Sequence, residues 1–141
     1  MQDIIFFMQH HLGLSIAFVA TLVLLMIVQF IKQKGEAAQV SPAQLTQLIN
    51  RENAVIVDIR SASLFADGHI IGSISIPLTE LETKIKKLEK SKAKPIVIVC
   101  MLGQESQRAS AILTKHGMLN IRTLQGGIDA WRKADMPLVK G

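Results

Sequence analysis

From Leu12 to Ile31 the chain is apolar at nearly every position, reading LGLSIAFVATLVLLMIVQFI with Ser15, Thr21 and Gln29 its polar side chains and no charge. At ~1.5 Å per residue a helix over this stretch covers roughly 30 Å, the hydrocarbon thickness of a bilayer. Its apolar residues go all the way round, which distinguishes it from an amphipathic surface helix. A cleaved signal peptide needs a basic start, a shorter apolar core and a small-residue cut site. Here the start carries Asp3 and no Lys or Arg, and Ala37-Ala38 lies beyond Lys32 and Lys34. A buried helix of a soluble domain is the remaining alternative. The reading adopted is a short tail at 1–11, with His10-His11 interfacial, and a transmembrane helix at 12–31. Lys32 and Lys34 put the carboxyl side in the cytoplasm by the positive-inside rule.

Residues 32–40 (KQKGEAAQV) read as a polar linker. Beyond them the pattern alternates. Ser41-Pro42 is an N-cap followed by proline at the first helical position, and Leu45, Leu48 and Ile49 give that helix one apolar stripe. Ala54–Val57 is a β-branched run leading to Asp58-Ile59-Arg60. Ser61–Asp67 predicts a short helical turn, Gly68–Pro77 a glycine-punctuated segment ending in a short strand, and Leu78, Leu81, Ile85 and Leu88 a lysine-rich helix. Pro95 opens the run Ile96–Val99, which ends at Cys100. Glu105–His116 predicts a helix stopped by Gly117, Ile121–Leu124 a last strand, and Gly126-Gly127 the start of a final short helix. Strands alternating with helices imply a mostly parallel sheet covered on both faces.

Composition narrows the possibilities. The 141 residues allow one modest domain after the apolar segment. Much of the net charge of +5 lies in Lys84, Lys86, Lys87, Lys90, Lys92 and Lys94, a stretch that also holds Glu82 and Glu89 and reads as a solvated face, with an acidic partner or lipid headgroups as the alternatives. With no Tyr and few other aromatics there is no platform for stacking bases, so no nucleic-acid partner is expected. A single cysteine makes no intrachain disulfide, which fits a reducing compartment. No Cys/His cluster with zinc spacing occurs, and no metal or organic cofactor is implied.

That cysteine carries the chemistry. Cys100 stands where a buried strand ends and a loop, Met101-Leu102-Gly103-Gln104-Glu105-Ser106, turns into a helix. Open α/β sheets place their sites at the carboxyl ends of strands. A thiolate, not a thiol, is the useful nucleophile. Amides of residues 101–106, with Gly103 supplying the backbone freedom for a tight curl, and the positive end of the helix would cradle an anionic sulfur held accessible at the rim of the fold.

The soluble part resembles a single rhodanese-like domain. The matching pieces are Val57-Asp58-Ile59-Arg60, Phe65 with Gly68-His69-Ile70 and Gly72, Ile76-Pro77, the strand into Cys100, Gly103 and Ser106, and Leu124 through Gly126-Gly127-Ile128 with Ala130-Trp131 and Pro137. They cover residues 41–141 in the family's order. With the apolar segment in front, the chain is similar to single-domain rhodanese-like proteins tethered to bacterial inner membranes. The resemblance implies an α/β, three-layer fold with a central parallel sheet flanked by helices and preceded by one transmembrane helix. It also implies a sulfurtransferase: Cys100 accepts a sulfane sulfur as a persulfide from a donor and passes it to a thiol or other nucleophile, with Met101, Leu102, Gly103, Gln104, Glu105 and Ser106 around the substrate. The bilayer is a partner through residues 12–31, and a membrane protein is a further candidate partner.

The loop departs from the family in charge. Thiosulfate-using members generally carry a cation where this chain has Glu105, and Met101 and Leu102 are apolar, so thiosulfate is a doubtful donor. Cysteine phosphatases need an Arg six residues after the nucleophile, a position held here by Ser106. Two other readings stay open: a membrane-bound interaction or scaffold module with little turnover, and a persulfide or redox sensor. Asp58 and Arg60 are expected to form a loop-holding ion pair, His69 a hydrogen-bonded loop residue, His116 a complement to its helix end, Arg108 a solvated residue and Trp131 part of the core.

Overall fold

In the computed structural model, which describes residues 1–141 apart from the side chains of Met8 and residues 32–35, the chain divides into two compact units, Met1–Gly35 and Glu36–Gly141. The first holds helices α1 (Gln2–His10) and α2 (Leu12–Gly35). The stretch expected as a short tail is therefore helical. No Gly or Pro interrupts it, and its last turn is tightened by Phe6 stacked on His10, one turn apart at 4.5 Å between ring centres. Within α2, Leu12–Ile31 is long and apolar enough to cross a membrane, and none of it is buried inside the protein.

The second unit is built on a five-stranded sheet: β1 (Ala38–Val40), β2 (Val55–Asp58), β3 (Ile74–Ser75), β4 (Ile96–Val99) and β5 (Ile121–Leu124), in spatial order β1-β5-β4-β2-β3. All four pairings are parallel. Helices α3 (Pro42–Glu52), α4 (Ala62–Asp67), α5 (Gln104–Lys115) and α6 (Gly127–Lys133) connect or follow the strands. This is the α/β class that the alternation of strand and helix patterns predicts. Ser41 caps α3 as its sequence suggests: its hydroxyl accepts from the Gln44 amide, and the Gln44 side chain accepts from the Ser41 amide.

Two elements differ from expectation. Ala38–Val40 is not linker but an edge strand, in register with Arg122–Leu124. A three-residue strand is too short to show a pattern of its own; the open edge of β5 defines it. The amide of Ala37, just before it, donates to the Gln107 side-chain oxygen at 2.9 Å, while the Gln107 side-chain nitrogen donates back to the Ala37 carbonyl at 3.1 Å. The chain is thus fixed to the domain from Ala37 onward. The lysine-rich stretch, in turn, is not one α-helix but two 3₁₀ segments, Leu78–Glu80 and Ile85–Ser91. Leu78 to Leu81 and Ile85 to Leu88 are spaced by three, the period of a 3₁₀ turn, and Leu81 and Leu88 are fully buried.

The alternation of side chains along β4 sets up the site. Ile96 and Ile98 join the core beneath α5 with Leu113 and Met118, whereas Val97 and Val99 join the opposite core with Leu45, Leu48 and Trp131. Cys100, two residues past Ile98, continues the α5 side and belongs to that core.

Replacing Gln107 by Leu removes both anchors of Ala37. At ~1 kcal/mol net per hydrogen bond the domain should lose about 1–2 kcal/mol of stability. Amide exchange should rise selectively over residues 37–40, and unchanged exchange there would show that β1 alone holds the chain.

Candidate functional site

The site forms where the strands end. Ile59 continues β2 and its amide donates to the Val99 carbonyl at 3.0 Å, which brings the chain following β2 beside the chain following β4. Asp58 and Arg60 are both buried and form a forked ion pair: the Arg60 Nε donates to Asp58 Oδ1 at 2.9 Å and its Nη2 to Oδ2 at 2.7 Å. The same Nη2 also donates to the Gly68 carbonyl at 2.7 Å, pinning the end of α4. The pair is the loop-holding network its sequence suggests, and the planar guanidinium fork is what lets one side chain serve both partners. His69 is held through Nδ1 by the Phe65 carbonyl at 2.9 Å and lies flat on the Phe65 ring, centres 3.8 Å apart.

Cys100 occupies the end of β4. The amide of Gly103 donates to its Sγ at 2.9 Å. Gly103 has a φ of +93°, in the left-handed region that favours glycine, and it is the N-cap of α5. The loop therefore does curl over the sulfur and turns at least one main-chain donor onto it, with the amino end of a twelve-residue helix following immediately. Accessibility, however, is corrected by the structure. Cys100 is 2% exposed, not open at the rim. The strand's period aims its side chain into the α5 core, and the loop closes above it.

Of the other loop residues expected around a substrate, Met101, Leu102, Gln104 and Glu105 line a cleft of about 440 Å³ together with Ile59, Arg60, Ser61 and Leu64. Gly103 faces the sulfur instead, and Ser106 is fully buried with no hydrogen-bond partner for its Oγ among the described residues. Glu105 and Leu102 are exposed, and Arg108 is a solvated residue one turn further along α5. Among the described residues no group of three or more His, Cys, Asp and Glu is placed to hold a metal ion.

The residues that shape the loop come from elsewhere in the chain, and their role was not read from the sequence. The amide of Ile128 donates to the Cys100 carbonyl at 2.8 Å and that of Asp129 to the Met101 carbonyl at 3.2 Å. The first turn of α6 thus takes both carbonyls, leaving the amide side of the loop to the sulfur. This approach is possible because residue 127 has no side chain: a Cβ there would collide with the Cys100 carbonyl oxygen, and its φ of +61° is itself left-handed. The legible signal was the Gly126-Gly127 dipeptide, which marks a backbone–backbone contact. Trp131 anchors the far side of α6, buried and donating through Nε1 to the Pro137 carbonyl at 2.9 Å. Leu64 of the cleft was likewise seen only as an apolar residue of a short helix.

The parallel five-stranded sheet flanked by helices is that of the rhodanese-like family, to which the chain belongs. The family model for the rhodanese-like domain matches residues 41–134. Over its whole length the chain is similar to the uncharacterized protein YibN of Escherichia coli (strain K12), with 36% identity covering 100% of this chain and 99% of that protein. It is also similar to the thiosulfate sulfurtransferase GlpE of Pseudoalteromonas translucida, 35% identical over 67% of this chain and 89% of that one. Among solved structures, a rhodanese-related protein from Thermoplasma volcanium superposes with a TM-score of 0.66 at 32% identity, over 74% of this chain and 99% of that chain.

Gly127→Ala should displace the loop by forcing its new methyl against the Cys100 carbonyl. The cost should fall in the range of about 1–3 kcal/mol typical of overpacking. Unlike an ordinary core defect it should also disturb the surroundings of Cys100, read as a changed alkylation rate of the folded protein. An alkylation rate equal to that of the unsubstituted chain would mean α6 does not shape the loop.

Proposed function

We propose that the chain is a membrane-anchored sulfurtransferase that carries sulfane sulfur as a persulfide on Cys100. The observation that carries this reading is the Gly103 amide aimed at Sγ at 2.9 Å, beneath the loop whose residues Met101, Leu102, Gln104 and Glu105 line the cleft. In the first half-reaction the Cys100 thiolate attacks the outer sulfur of a donor. A new S–S bond forms at Cys100, the donor's bond to that sulfur breaks, and its electron pair leaves with the donor remainder. In the second, an acceptor thiolate or other nucleophile attacks the outer sulfur and Cys100 departs as thiolate. Both halves need an anionic sulfur held in one place. Main-chain donors supply this without a side chain of fixed charge. The apolar helix anchors the domain, and the basic residues that follow it orient the domain to the cytoplasm.

The donor is a protein-bound persulfide or an uncharged sulfur carrier. The cleft presents Leu64, Met101 and Leu102 beside the carboxylate of Glu105, and the buried Arg60 has its Nε and Nη2 engaged by Asp58 and Gly68 and its Nη1 without a partner among the described residues. An exposed carboxylate at the mouth repels a dianion such as thiosulfate while being tolerated by the helix, whose first turn favours negative charge. A second reading, an interaction module with little turnover, draws support from the burial of Cys100 and the exposure of Leu102 on the same loop. A persulfide sensor would use the same sulfur without passing it on.

Intact-mass measurement after incubation with a small-molecule persulfide should show a gain of one sulfur atom, absent in Cys100→Ser and removed by an acceptor thiol. No adduct would leave the interaction module; an adduct that no thiol removes would favour the sensor. Glu105→Arg should raise kcat/KM for thiosulfate about tenfold or more, the effect of roughly 1.4 kcal/mol at the transition state. An unchanged value would show that charge at the mouth does not select the donor.

A further inference from the structure

A wholly parallel sheet has two unlike ends. The strands of this domain finish at Cys100 and its cleft, where Glu105 and Asp129 are the nearby acids. They begin at the opposite end, and there the surface is basic. Lys90, Lys92 and Lys94 lead into β4 and are all exposed; Lys115 closes α5; Arg51 closes α3. Lys92 reaches over the end of α5, with its Nζ 3.8 Å from where a Cβ on Gly117 would stand, so the lysines before β4 share one surface with the end of α5, which Lys115 closes. Arg51 and Arg122 add a second positive area, lining a cleft of about 340 Å³ beside β1 together with Glu52. The opposing acids on this end are Glu52 and Glu89, with Glu36 in the tether. Between α5 and the start of β5, at this end of the sheet, Leu119 is 87% exposed, an apolar side chain outside the core.

The chain also joins the domain at this end. Ala37 is fixed by Gln107 and β1 starts at Ala38, so residues 32–36 alone separate the domain from the apolar segment that ends at Ile31. Even fully extended they span at most roughly 20 Å. A basic surface with an exposed leucine, on the end of the domain to which so short a tether attaches, is complementary to anionic headgroups. The cytoplasmic leaflet is anionic and attracts Lys and Arg within about a Debye length.

We propose that the strand-start end of the domain docks on an anionic phospholipid surface through Lys92, Lys94 and Lys115 with Leu119, and so turns Cys100 and its cleft toward the aqueous side. The inference rests on the membrane-anchored reading above. It assigns a task to the lysine-rich stretch that the sulfur chemistry leaves unused, and it names the direction from which donor and acceptor reach the site.

The test uses the full chain in vesicles containing a nitroxide-headgroup lipid, made either of phosphatidylcholine alone or of phosphatidylcholine with phosphatidylglycerol. A fluorophore is placed through Ala93→Cys in one protein and Gln104→Cys in another, both in a Cys100→Ser chain. Quenching at position 93 is expected in the phosphatidylglycerol vesicles and not at position 104. It should be relieved in 1 M salt, where the Debye length falls to ~3 Å. Each Lys→Gln change at Lys92, Lys94 or Lys115 should lower the docked-to-undocked ratio roughly fivefold. Equal quenching in both lipids, or quenching at position 104 as strong as at 93, overturns the docking. Alkaline extraction of the same vesicles separates the two failures. Protein released into the supernatant overturns the anchor and the docking with it, whereas protein retained but unquenched overturns the docking alone. The salt arm keeps the result independent of whether any lysine variant folds.

Discussion

The two hydrogen bonds from the start of α6 to the carbonyls of Cys100 and Met101 are what the candidate site depends on. Any tight loop brings as many carbonyls as amides near its centre, and a carbonyl oxygen beside an anionic sulfur is repulsive. The loop can favour an anion only if its carbonyls are satisfied elsewhere. Here the amides of Ile128 and Asp129 take them, and the Gly103 amide is left for Sγ. The chemistry of Cys100 is therefore shared with a segment far along the chain, through contacts made entirely by main-chain atoms. Gly127 is the condition for that contact, since a side chain there would occupy the place of the Cys100 carbonyl.

The ion pair of Asp58 and Arg60 supports the same corner from the other side. Burying both charges costs solvation that the forked geometry and the Gly68 carbonyl offset. The outcome is a rigid connection between the end of β2, the end of α4 and the wall of the cleft. The pair engages Nε and Nη2, while the buried Nη1 of Arg60, a residue of the cleft wall, has no hydrogen-bond partner among the described residues. At the mouth the exposed carboxylate of Glu105 opposes an approaching anion.

Much of this was legible in the sequence because it follows from local pattern. The apolar segment, the β-branched strands, the Ser41-Pro42 cap and the position of Cys100 at a strand end are each written in a few adjacent residues. The edge strand Ala38–Val40 was not, because its identity comes from β5 and from Gln107. The lysine-rich stretch was read with the wrong period: spacings of three fit both helix types over so short a run. The burial of Cys100 was the most consequential miss. Counting by twos from Ile98 would have put its side chain in the α5 core. The argument from strand ends to site access passed over that alternation.

Burial and reactivity are reconciled by the way the cover is built. What lies over Cys100 is not sheet but a short loop whose outward residues, Met101, Leu102, Gln104 and Glu105, are themselves the wall of the cleft. Under the proposed function a donor would meet the loop before the sulfur, and its contacts with the loop would determine whether the sulfur is reached. A small dianion gains nothing from Leu64, Met101 or Leu102 and is opposed by Glu105. A protein surface or an apolar carrier can cover those side chains and draw on their burial to open the way. Selection of the donor would then follow from the same feature that conceals the proposed nucleophile.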